Sequence, residues 1–204
     1  MKNNRKSQAA PLVALLVALA AASPARTEEP APANPQKQEL DQLIGRYREL
    51  YRQQQFAEAR PLAERALTLA EAVFGPEEEA TAQVLNDLGY LHQSMGEPDK
   101  AEPLHRRALA IRERVFKSDG PNVVQSLNNL AKACRALGRD AEAAPLFKRS
   151  LDILERYLPP AHPQILSTLE GYAASLRGAA RVSEAEAVEA RIKAMRPPAK
   201  AGSP

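Results

Sequence analysis

The chain of 204 residues carries 28 basic and 25 acidic residues, a formal net charge of +3, and one cysteine. Three cations, Lys2, Arg5 and Lys6, precede residue 26 with no acidic residue beside them, so the remainder holds 25 of each sign (28 − 3 = 25). A neutral chain has no overall electrostatic drive toward nucleic acid, and Cys134 alone excludes an internal disulfide.

The first element is a transport signal. Lys2, Arg5 and Lys6 are followed by an uncharged Ala/Leu/Val run, Ala9–Ala22, and then by small residues, which reads as a secretory signal peptide over residues 1–25. The alternative is a retained membrane anchor, but about 14 helical residues span only about 21 Å of a hydrocarbon core roughly 30 Å thick. Cleavage is expected after the small residues ending at Ala22 or Ala25, giving an exported, periplasmic or secreted chain that starts at Ser23 or Arg26. Residues 26–36 carry Pro30, Pro32 and Pro35 among Glu and Ala and read as a proline-rich disordered linker. Residues 197–204 read as a disordered tail, which leaves a single domain over 37–196.

Within that domain the chain repeats every 42 residues without a gap. Leu43, Leu85, Leu127 and Leu169 fall in step, as do Pro61, Pro103 and Pro145, and Arg65, Arg107, Arg149 and Arg191 (85 − 43 = 127 − 85 = 169 − 127 = 42). A fixed period of this size predicts stacked supersecondary units, here repeats of approximately 40–81, 82–123, 124–165 and 166–196. Each unit holds two helices. The first carries Leu85, Leu88 and Met95, then Leu127, Leu130 and Leu137, and ends at Gly96 or Gly138, residues suited to a helix C-terminus. The second carries an apolar stripe at 3-4-3-4 spacing, such as Ala101, Leu104, Ala108, Ile111 and Val115. Gly75-Pro76, Gly120-Pro121 and Pro159-Pro160 break the chain between units.

These helix pairs resemble tetratricopeptide repeats of the longer, kinesin-light-chain-like type. Leu85, Leu88, Gly89, Ala101 and Ala108 stand at that family's signature spacing, and Leu127, Leu130, Ala131 and Ala143 repeat it. Ala101–Glu113 is similar to the variant's second helix and Ser126–Ala131 to its first. The resemblance implies an all-α, right-handed superhelical solenoid of antiparallel helix pairs with about four repeats. The outer units depart from the pattern at Tyr47 and Tyr172. The last helix, with Ala185, Val188, Ile192 and Met195, is expected to leave an edge for the tail, a partner or a second copy.

In such arrays the positions one and five residues after the first signature leucine face a concave groove. Here these are Asn86 and Tyr90, Asn128 and Lys132, Glu170 and Ala174, with Arg48 in the first unit; Arg52, Gln93, Arg135 and Arg177 follow close behind. Asparagine can satisfy the main chain of an extended peptide and arginine pairs bidentately with carboxylates. The expected site is therefore a peptide-binding groove made by Asn86, Tyr90, Gln93, Asn128, Asn129, Lys132, Arg135, Arg177, Arg48 and Arg52, with a protein or peptide partner of acidic character. Ordinary solvated polar residues are the plainer reading of the same positions.

Catalysis finds little support. His92, His105 and His162 lie on different elements without a complementary ligand set and read as packing or turn residues. No glycine-rich phosphate loop or nucleophile motif occurs, so no catalytic residue, metal or cofactor is expected. Glu77-Glu78-Glu79 reads as a helix start, where anions meet the macrodipole favourably. The expected function is a non-catalytic protein–protein interaction scaffold. The alternative is a structural subunit of a larger envelope complex, assembled through the helical ends or the convex face.

Overall fold

The computed structural model describes residues 34–116 and 120–195, all within one compact unit, Ala33–Pro204. The signal peptide, the linker up to residue 33 and the tail 197–204 lie outside the described residues. Among those described run eight α-helices: α1 Pro35–Arg52, α2 Phe56–Val73, α3 Glu79–Ser94, α4 Pro98–Phe116, α5 Val124–Ala136, α6 Asp140–Tyr157, α7 Pro163–Gly178 and α8 Val182–Met195. A single 3-10 turn, Pro121–Val123, leads into α5. The pairs α1/α2, α3/α4, α5/α6 and α7/α8 are the four units, and each packs on the next. The fold is thus the all-α solenoid of helix pairs.

Local chemistry sets the boundaries. The Asn34 side chain accepts a hydrogen bond from the Gln36 amide at 3.0 Å, and Pro35 opens α1 where its missing N–H costs nothing. Pro35 and Gln36, expected in the linker, are therefore helical. His162 caps α7 in the same way, its Nδ1 accepting from the Gln164 amide at 3.2 Å. Each first helix is closed by one left-handed residue at the same place in the repeat. Gly96 (φ 74°) and Gly138 (φ 71°) fill it in the inner units, Gln54 (φ 61°) and Ala180 (φ 59°) in the outer ones.

Packing follows the repeat. In α2 the stripe Ala59, Ala63, Ala66 and Ala70 is fully buried, and its small side chains let α1 and α3 approach on either side. Val84, Leu88 and Leu91 of α3 join Leu40, Tyr47 and Leu50 of α1 in the cluster that closes the first seam. A second cluster runs from Leu109 through Leu127, Phe147 and Leu151 to Leu169 and Ile192. Each buried leucine-sized side chain contributes roughly 1.5–3 kcal/mol. Cys134 is buried within this second cluster, and burial raises its thiol pKa, as suits a packing residue.

The end helices lack the apolar positions that a further unit would need. Forty-two residues before Val84, Leu88 and Leu91 stand Gln42, Arg46 and Glu49; forty-two after Phe147 and Leu151 stand Glu189 and Lys193. The α8 stripe expected to be left uncovered is instead used inside its own unit. Ala185 and Ile192 are buried, and Val188 and Met195 pack partly buried beside Tyr172 of α7.

Ionic contacts tie neighbouring second helices. Arg107 of α4 reaches Glu71 of α2 at 2.6 Å, Arg149 of α6 pairs with Glu113 of α4, and Arg191 of α8 pairs with Glu155 of α6 at 2.7 Å. The arginine column seen in the sequence is thus a ladder, each rung joining one unit to the unit before it. Arg65, with no unit before its own among the described residues, pairs with Glu39 of α1. A deeper tie is Arg112 of α4, with 3% exposure. Its guanidinium donates to Glu79 at 3.1 Å and Gln83 at 2.8 Å in α3, and to Ser126 at 2.9 Å in α5.

Candidate functional site

The first helices of units one and two enclose a cavity of about 360 Å³, lined by Tyr47, Arg48, Tyr51, Arg52, Asp87, Tyr90 and Leu91. Helical spacing explains the lining: Tyr47, Arg48, Tyr51 and Arg52 occupy two adjacent turns of α1, and Asp87, Tyr90 and Leu91 do the same in α3.

Asp87 organises the cavity. One carboxylate oxygen accepts from Tyr47 OH at 2.8 Å and from Arg48 Nε and a terminal guanidinium nitrogen at 2.9 and 2.7 Å. The other accepts from Gln83 at 2.9 Å. Burial, then the Asp87 charge, pushes the Tyr47 hydroxyl far above its ordinary pKa, so it stays a neutral donor. Tyr51 shares a hydrogen bond with Ser94 at 3.2 Å, and its ring lies 5.3 Å from that of Phe56. Arg52 is exposed and pairs with Glu49 at 2.7 Å.

Beside the cavity runs a polar seam joining units two and three. Tyr90 OH donates to Asn129 Oδ1 at 2.6 Å, and Asn129 Nδ2 donates to Asn86 Oδ1 at 2.8 Å. The same Asn86 oxygen lies 3.1 Å from Nδ1 of His105. An amide oxygen only accepts, so Nδ1 carries the imidazole proton. Gln93 donates to the Asn129 carbonyl at 3.5 Å. Further along, Asn128 donates to Thr168 Oγ1 at 3.1 Å.

The residues expected in the groove therefore part company, Gln93 and Asn128 bonding across to the next unit and the others as follows. Arg48, Arg52 and Tyr90 line the cavity. Asn86 and Asn129 do not face solvent, with 0% and 1% exposure; their amides join units rather than standing free for a peptide. Among the remaining cations, Arg135 pairs with Asp140 at 3.4 Å and Arg177 with Glu189 at 2.6 Å. Lys132 is exposed and close enough to His105 to lower its pKa. The sequence reading missed Tyr47, Tyr51 and Asp87. Their signal was the gathering of three of the five tyrosines at one turn of α1 and the matching height of α3.

The histidines take part in packing and capping, His162 at the start of α7. His92 is buried and meets Glu97 at 2.7 Å, while His105 is wholly enclosed. Among the described residues no cluster of His, Cys, Asp or Glu could hold a metal ion. No described helix is long and apolar enough to cross a membrane.

Repeated helix pairs that share one continuous first-helix face define a solenoid of the interaction-scaffold class, which presents extended surface to partners. The family model for the tetratricopeptide repeat matches residues 50–114, 90–156 and 122–197, and the chain belongs to that family. Its fold is similar to the crystal structure of a Podosopora anserina putative kinesin light chain with nearly identical TPR-like repeats, at 22% identity and TM-score 0.66, covering 76% of this chain and 74% of that one. BtubC (BKLC) from P. vanneervenii is similar at 21% identity and TM-score 0.68, covering 80% and 70%. The TPR domain of Arabidopsis FLU follows at 24% identity and TM-score 0.54, covering 60% and 99%. A search of the curated proteins returned no match.

Proposed function

We propose that this chain is a non-catalytic scaffold that holds an acidic peptide or protein segment against the face built by its first helices, in the periplasm or outside the cell. The observation that carries the reading is the cavity between α1 and α3, where three tyrosine rings meet Arg48 and Arg52. Of its two cations Arg48 is paired with Asp87, while Arg52 is held only by the exposed Glu49, a weak pair that a ligand carboxylate can replace. Lys132, exposed further along the same face, adds positive charge. Export rests on Lys2, Arg5 and Lys6 ahead of the run Ala9–Ala22.

The test uses Arg52→Glu with Lys132→Glu, since both side chains are exposed and their reversal leaves the core intact. Crosslinking in a periplasmic extract is expected to trap a partner with the unaltered chain and lose it with the double variant. Equal trapping by both overturns the groove. Mass spectrometry of the exported protein is expected to find Ser23 or Arg26 at the N-terminus; an intact Met1 overturns signal cleavage.

A further inference from the structure

We infer that the hydrogen bonds linking Tyr90 to His105 form a relay with two directions, which an acidic ligand reverses so that Tyr90 becomes a donor to it, an inference that rests on the groove reading above. Tyr90, Asn129, Asn86 and His105 are joined in that order by contacts of 2.6, 2.8 and 3.1 Å. In the direction already described, Tyr90 donates to Asn129, Asn129 to Asn86, and His105 Nδ1 to Asn86. Two buried atoms are then left without a partner among the described residues, Nδ2 of Asn86 and Nε2 of His105.

The opposite direction fits the same atomic positions. When both amides make a half-turn, their nitrogen and oxygen exchange places. Asn86 Nδ2 then donates one hydrogen to His105 Nδ1 and the other to Asn129 Oδ1, Asn129 Nδ2 donates to the Tyr90 oxygen, and the imidazole carries its proton on Nε2. Three bonds are made either way, and either way one amide atom of Asn86 and one nitrogen of His105 go without a protein partner. The count of bonds therefore favours neither direction. Both ends are in the form that reversal needs. Burial, then the charge of Lys132, hold the His105 pKa down to about 4, so the ring is neutral and has one proton for two nitrogens. Burial also raises the Tyr90 pKa, so its hydroxyl keeps its proton.

Tyr90 is the member of the relay that lines the cavity. While it donates to Asn129 it offers an incoming group only lone pairs, which repel a carboxylate. Reversed, its O–H is free for that carboxylate. A hydrogen bond to an ionised acceptor is stronger than one between neutral groups, so an acidic ligand stabilises the reversed direction and shifts the population toward it. A ligand that brings only donors leaves the first direction in place.

Nitrogen-15 NMR of the imidazole rings tests this on the purified chain, with His105 identified by its loss in His105→Phe, during titration with hexaglutamate and separately with hexalysine. The His105 proton is expected on Nδ1 in the free chain and with hexalysine, and on Nε2 at saturation with hexaglutamate. Tyr90→Phe is expected to bind hexaglutamate about tenfold more weakly and to keep the proton on Nδ1, with helicity unchanged by circular dichroism. A proton that stays on Nδ1 in the unaltered chain at saturation overturns the relay and leaves the groove standing, whether or not Tyr90→Phe folds. A move driven equally by hexalysine overturns selection by an acceptor. If hexaglutamate does not bind while Arg52→Glu with Lys132→Glu still loses the crosslinked partner, the relay falls alone; if that partner is also retained, both fall.

Discussion

The imidazole of His105 occupies the space where a side chain at Gly89 would begin: a Cβ there would lie 2.5 Å from Cε1 of His105. The first unit reverses the pair, with Tyr47 in place of the glycine and Ala63 in place of the histidine, both buried in one cluster. Bulk is thus exchanged between the two helices of a unit while the space between them stays filled. Gly89→Ala is expected to destabilise the fold by about 1–3 kcal/mol, the usual cost of overpacking. Adding His105→Ala should recover most of that loss. Urea unfolding of both variants checks the exchange, and no recovery in the double variant would overturn it.

His105 also sets a pH dependence. Burial first, and the charge of Lys132 second, hold its pKa down to about 4 from an ordinary 6.5. The unfolded chain therefore takes up a proton below pH 6.5 that the folded chain refuses until about 4. Stability is expected to fall as pH drops through this window, with a slope of up to about 1.4 kcal/mol per pH unit. Glu97, whose carboxyl is held at about 2 by hydrogen bonds from Lys100 and then His92, acts lower, below its ordinary 4.5. Unfolding midpoints of the unaltered chain and His105→Phe between pH 4.5 and 6.5 isolate the histidine; equal slopes would exclude it.

Arg112 joins three helices from a nearly enclosed position. Arg112→Ala strips Gln83 and Ser126 of a shared donor and leaves Glu79, its side chain 37% exposed, to the solvent, so it is expected to cost about 1–3 kcal/mol, as when buried polar groups lose their partner. Arg112→Leu, which follows the leucine at position 154 of the third unit, should cost less. Thermal unfolding of the two variants makes the comparison.

The left-handed residues Gln54 and Ala180 hold a conformation that L side chains adopt at a cost of roughly 1–2 kcal/mol. Gln54→Gly and Ala180→Gly, which match Gly96 and Gly138, are each expected to raise stability by up to about 1 kcal/mol. An unchanged or lowered melting temperature would show that the outer turns are relaxed as they stand.

Polar residues on the end faces predict a chain that does not stack on itself. Sedimentation is expected to give a monomer at all concentrations tested, whereas Glu189→Phe with Lys193→Leu should self-associate. A concentration-dependent oligomer of the unaltered chain would refute this.

Much of the architecture was legible in the sequence because each repeat supplies the control for the next. Leu85 and Leu127 in step, Gly96 and Gly138 at the helix ends, and the proline breaks fixed the helix pairs without reference to contacts. Arg112 could have been found in the same way, since a cation standing in the column of Ala70 and Leu154 has to be compensated. The site was less legible. Asn86 and Asn129 lie on the expected helix face, but that face is shared between the open groove and the seam to the next unit, and periodicity along one helix cannot separate the two. Nor does the period show that Glu71 meets Arg107, because neighbouring helices are displaced along their axes and the partners are 36 residues apart, not 42.

The cavity's lining runs only from Tyr47 to Leu91, yet one of its walls is fastened elsewhere, for Tyr90 is held at its hydroxyl by Asn129 of the third unit. A fragment comprising the first two units would contain every lining residue and still lose that anchor. The piece that keeps every wall of the cavity as it stands in the whole chain is therefore three units long.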